Sequence, residues 1–129
     1  MIDEFITRPE MDLIKQEARN RVNSYITYNP LFQTCIDSGI ISKSDVEYLV
    51  LVDITKSRVL VKKMLAGSLS SLEGEKDQSI DDRAWDFVGA ITNQTEDRSR
   101  ERFYDIYSRI ADYHNKNVQS IQTGSSREH

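Results

Sequence analysis

Apolar side chains recur along most of this chain at steps of three and four, the period of an α-helix rather than of a strand. The densest stretch is 44–67. Within it Val46, Leu49, Val50, Ile54, Leu60, Val61, Met64 and Leu65 form one stripe, while Leu51, Val52 and Val59 lie off it. A helix that is apolar on more than one side is normally surrounded by others, so 44–67 is predicted to be the central helix of a bundle. Ser44 and Glu47 stand at capping-box spacing at its start. Gly67 supplies a left-handed stop, and Lys62 and Lys63 fall in the last turn against the negative end of the dipole. A β-hairpin competes, because 48–52 and 59–61 are rich in β-branched residues. The residues between them make a poor tight turn, and the caps favour the helix.

The flanking segments carry simpler stripes. Thr7 and Glu10 open a first helix with Pro9 in its first turn, and Met11, Ile14, Ala18, Val22 and Tyr25 line one side of it. It ends before Asn29-Pro30, since the residue before proline is pushed out of the helical region. A short second helix, about 31–37, offers Leu31, Phe32, Cys35 and Ile36 and stops at Ser38-Gly39. The segment 68–78 turns to Ser, Gly and charge and is expected to be a long mobile loop. Ser79 is the expected cap of a fourth helix that packs through Ala84, Trp85, Phe87, Val88 and Ile91. Thr95-Glu96-Asp97 opens the last helix, with an expected core stripe of Phe103, Tyr107, Ile110, His114, Val118 and Ile121. The polar residues 123–129 are expected to form a disordered tail. The predicted fold is therefore all-α: a single-domain helical bundle over 1–122, built of four main helices plus one short helix, with a mobile loop after the central helix.

Composition narrows the classes of function. The chain has 129 residues, enough for one core without disulfides or metal, and a net charge of −4. With a pI near 5.2, a general nucleic-acid binder is not favoured. Cys35 is the single cysteine, so no internal disulfide forms and a reducing, cytoplasmic location is expected. No secretory signal is visible at the start and no apolar run approaches a membrane span.

Known chemical templates are sparse. There are two histidines, no HExxH and no calcium-loop spacing, so neither a metal nor a cofactor is expected. Asp81, Asp82 and Asp86 cluster at a helix start, where the dipole favours carboxylates. Asp53 falls on the main stripe of the central helix. If buried it needs a cation from another helix, such as Arg19, Arg21 or Arg83; the favoured alternative is that it is wet and bonded to Ser57 or Lys56. On the last helix Arg98, Arg100, Arg102 and Arg109 alternate with Glu96, Asp97, Glu101 and Asp105, the pattern of a salt-bridged surface.

One spacing is sharper. Arg109-Ile110-Ala111-Asp112-Tyr113-His114, late in an all-helical chain, resembles the motif of the HEPN ribonucleases, four-helix bundles that act as metal-independent dimers. That resemblance implies His114 as general acid or base at a ribose 2′-hydroxyl and Arg109 as the cation at the phosphate. Five residues on a helix turn through roughly 140°, so the two would converge only against a second subunit's pair. The favoured function is instead a small non-enzymatic protein-protein interaction module, an adaptor, inhibitor or regulator. Phe5, Tyr28, Leu69, Leu72, Tyr104 and Tyr113 exceed the needs of one core and form its expected surface, open to a protein partner or to a second copy in a homodimer. A nucleic-acid-binding accessory factor using the arginines of the last helix is the third reading.

Overall fold

The structure, a computed structural model, describes residues 6–65 and 77–127; the side chains of 63, 65, 77–80 and 118–127 are not part of that description. It is an all-α bundle: α1 (Arg8–Tyr28), α2 (Pro30–Asp37), α3 (Lys43–Leu65), α4 (Asp77–Thr92) and α5 (Glu96–Arg127). Among the described residues there is no strand. The stretch for which a hairpin competes in the sequence is one continuous helix. Of the short N-terminal arm that the sequence suggests over 1–6, Ile6 is buried and residues 1–5 lie outside the described residues, as do the stop at Gly67 and most of the 68–78 loop; Asp77 and Gln78 are already helical.

α3 is central. α1 and α4 both pack along it and touch each other, α5 lies on α4, and α2 bridges α1 and α5. The stripe of α1 is where periodicity placed it: Ile14, Ala18 and Val22 are buried, with Met11 and Tyr25 packed at the margin. Thr7 and Glu10 close the capping box at its start. α2 buries Cys35 and stops at Gly39, whose φ of +76° is the left-handed conformation that glycine adopts without penalty.

Four details differ from the sequence-based expectation. The start of α3 is closed by Ser42 and Asp45, whose side chains exchange hydrogen bonds with each other's backbone N–H at 3.1 and 2.9 Å. Ser44 and Glu47 lie inside the helix. Ser42→Ala should therefore cost about 1 kcal/mol and Ser44→Ala a few tenths at most, as read from urea midpoints. Ser79, expected as a cap, is likewise inside α4. The third difference is the face of α3. Val46, Val50 and Ile54 are buried, but so are Leu51, Val52 and Val59, while Leu60, Val61 and Met64 are exposed. Opposite the last turns of α3, α1 offers Glu10 and Glu17 rather than apolar groups, so burial passes to other sides of the helix. The fourth concerns α5. Among the described residues its buried positions are Ser99, Ile106 and Ile110, whereas Tyr107 and His114 are exposed; the expected stripe members Val118 and Ile121 lie outside the described side chains. The helix also runs beyond Gln122 to Arg127, because Gln, Ser and Thr each cost a helix only a few tenths of a kcal/mol and Gly124 about 1.

Candidate interaction surface

The α4–α5 corner positions an exposed group of aromatic side chains. α4 ends at Thr92, Asn93 takes φ +57°, and the N–H of Gln94 returns to the carbonyl of Gly89 at 2.8 Å. Thr95 then caps α5 through the N–H of Arg98 at 3.1 Å. This tight reversal lays the first turns of α5 over α4, with Ser99 against α3, where its carbonyl accepts the Tyr48 hydroxyl at 2.7 Å.

Trp85 is the base of the surface. It is fully buried and its indole N–H donates to Asp81 at 3.1 Å. Phe103 meets it edge to face, with ring centroids 5.4 Å apart. Tyr104 packs edge-on against Phe103 at 5.4 Å and Tyr107 stacks on it at 6.2 Å. The outer two rings are left in water, Tyr104 55% and Tyr107 61% exposed. Lys56 reaches across from α3, its ammonium 4.9 Å from the Trp85 centroid and 5.5 Å from that of Phe103, and pairs with Asp81 at 3.0 Å. Arg100, one turn before Tyr104, pairs with Asp82 at 2.5 Å and Glu96 at 2.7 Å.

Carboxylates crowd this edge. Burial, a hydrogen bond with Glu96 and the charges of Glu96 and Asp82 push the Asp86 carboxyl above its ordinary 3.8, with Arg100 opposing them. A folded-state value raised above the unfolded one gives stability that is complete below pH 3.8 and lost as pH rises through the raised value. Asp86→Asn, which removes the charge and supplies an amide N–H donor toward Glu96, should be more stable than wild type at pH 7. The gain should disappear on acidification below the ordinary Asp value, as measured by denaturation midpoints across that range. A gap that does not change with pH would contradict this account.

No family model, curated protein or solved structure matches the chain.

Of the residues expected at an interaction surface, Tyr104 belongs to this aromatic face. Tyr28 is 82% exposed but stands at the end of α1, away from it. Tyr113 is half-buried on another side of α5, its hydroxyl 3.2 Å from that of Ser38. Phe5, Leu69 and Leu72 lie outside the described residues. Tyr107 is the member that periodicity assigned to the core instead. Its surplus aromatic character, shared with Tyr104 three residues earlier, was the available signal.

The other candidates stand as follows. Arg109 and His114 are both exposed. Arg109 pairs with Asp105 and points toward the carbonyl of Ile40 at 3.5 Å; His114 lies on a different side of the helix, so one chain does not bring the two together. Among the described residues no group of three His, Cys, Asp or Glu side chains is placed to hold a metal ion, and no helix is long and apolar enough to cross a membrane. Asp53 is exposed and accepts a hydrogen bond from the Tyr25 hydroxyl at 3.1 Å, a partner the sequence did not suggest. It lines a groove of about 440 Å³ between α1 and α3 with Glu10, Glu17, Arg21, Arg58 and Lys62. Those charges largely answer one another: Glu10 pairs with Lys62 and Arg58, and Glu17 with Arg58 and Arg21. Burial raises the Glu10 carboxyl, but the Lys62 hydrogen bond, the Thr7 N–H and the two cations outweigh it and hold the group below its ordinary value.

Proposed function

We infer that the protein is a small non-enzymatic interaction module, an adaptor, inhibitor or regulator, whose working surface is the aromatic face of α5. The observation that supports this reading is the exposure of Tyr104 and Tyr107 beside the Phe103 ring, above a buried Trp85. Aromatic side chains fixed by the layer beneath them contribute strongly at protein interfaces, because they bury large areas and lose few rotamers. Self-association of two copies is one form of this function, twofold dimers being the commonest oligomers.

Affinity capture from cells that produce the protein, with wild-type bait beside a Tyr104→Ser/Tyr107→Ser variant, tests it. Both positions are exposed, so the variant should keep its helical circular dichroism. Specific proteins held by the wild type and released by the variant are expected. Identical captures on both baits would count against the reading. So would cleavage of single-stranded RNA in EDTA by the wild type and not by His114→Ala, which would favour the ribonuclease.

A further inference from the structure

The aromatic face carries a charge pattern that specifies its partner, provided that the face is an interaction surface as inferred above. On the side toward α4, Asp81, Asp82, Asp86 and Glu96 gather around Arg100 and Lys56. On the outer side, Glu101 and Asp97 precede Tyr104 by one and two helical turns and are exposed. Tyr104 and Tyr107 thus follow a part of the surface in which these six carboxylates outnumber the cations Lys56, Arg98 and Arg100. The fold itself shows what such rings accept: Lys56 lies over Trp85 and Phe103, and Arg102 lies 4.2 Å from the centroid of Tyr48 while pairing with Asp45 at 3.9 Å. In both instances one cation touches a ring face and a carboxylate together. The exposed tyrosines offer the same pair of groups to an incoming chain.

We propose that this face docks a basic segment of a partner protein, with arginine or lysine side chains lying over the Tyr104 and Tyr107 rings and pairing with the exposed Glu101 and Asp97, and with Asp82, which they share with Arg100. Charge complementarity selects this occupant over two others. A nucleic acid would bring phosphates against carboxylates. A second copy would bring the same carboxylates, from a chain of net charge −4, against its own.

The test uses the full chain as target for a displayed library of random peptides, with counter-selection on Tyr104→Ser/Tyr107→Ser and light scattering on both proteins. Peptides that require the two tyrosines should carry net positive charge. Made synthetically and followed by fluorescence anisotropy, they should bind roughly tenfold more weakly to Asp82→Asn/Glu101→Lys and lose affinity as salt rises. Tyrosine-dependent peptides that are neutral or acidic would overturn this proposal and leave the interaction module standing. Failure to find any tyrosine-dependent peptide would overturn both. A wild-type dimer that the tyrosine substitutions dissociate would also overturn the proposal, since a second copy would then cover the face.

Discussion

Trp85→Ala should be the most damaging single substitution in the bundle, costing about 3–5 kcal/mol. The side chain is completely buried between α3, α4 and α5, and its removal opens a cavity that three helices must relax into. Several contacts go with it: the edge of Phe103, the Lys56 ammonium over the ring and the hydrogen bond to Asp81. For a domain of this size, such a loss lowers the melting temperature by roughly 10–20 °C. It is also a large share of the roughly 5–15 kcal/mol that holds a typical domain folded. Trp85→Phe keeps an aromatic ring and gives up the indole N–H, and should cost less than half as much. Far-UV circular dichroism is the right probe, because Trp85 is the single tryptophan and fluorescence disappears with it. Equal losses in the two variants would mean that the Asp81 hydrogen bond, not the packing, is what matters there.

Gly89→Ala is expected to destabilise by about 2–3 kcal/mol, against the helix-propensity trend. In an open helix position this substitution would gain about 1 kcal/mol. Here an added Cβ would stand 2.7 Å from the carbonyl oxygen of Gln94. That oxygen belongs to the backbone of the reversal between α4 and α5, so no side chain can swing aside. The reversal itself is tied down by the hydrogen bond from Gln94 N–H to the Gly89 carbonyl. Opening it would shift the start of α5 and with it Arg100 and the aromatic face. A neutral or stabilised Gly89→Ala protein in urea denaturation would show that α5 can move off α4 freely, and would remove the rigidity that the proposed surface depends on.

How much of this was legible in the sequence follows from how one-sided each helix is. α1 and α2 each have a single apolar stripe, and their ends and buried faces agree with the pattern. α3 has apolar residues on several sides, so periodicity alone placed Leu60, Val61 and Met64 inside. In the structure all three are exposed, Val61 in the charged groove beside Glu10 and Glu17. At its start two overlapping boxes compete, Ser42 with Asp45 and Ser44 with Glu47. The backbone uses the first.

α5 is the instructive case, because it carries two stripes. One runs through Ser99, Ile106 and Ile110, the other through Phe103, Tyr107 and His114. The second is the more aromatic, yet the first is buried, since the Tyr48 hydroxyl reaches the Ser99 carbonyl from a residue 51 positions away. That distant contact is part of the packing that holds Ser99, Ile106 and Ile110 inward and leaves Tyr107 outward. Tyr104 could be singled out from sequence as a surplus aromatic, and its ring partner Phe103 is its neighbour on the same helix; the Trp85 base and the Lys56 bridge depend on α3, α4 and α5 meeting in space, which no local pattern encodes.

The measurement that bears most directly on the central claim is photo-crosslinking inside the cell. The full-length protein would carry p-benzoylphenylalanine in place of Tyr104 or Tyr107, with the exposed Asp12 position on α1 as control. If the aromatic face of α5 is the working surface, both tyrosine positions will give the same discrete protein adduct and the Asp12 position will not. Adducts to RNA, or an equal pattern from all three positions, would contradict the account.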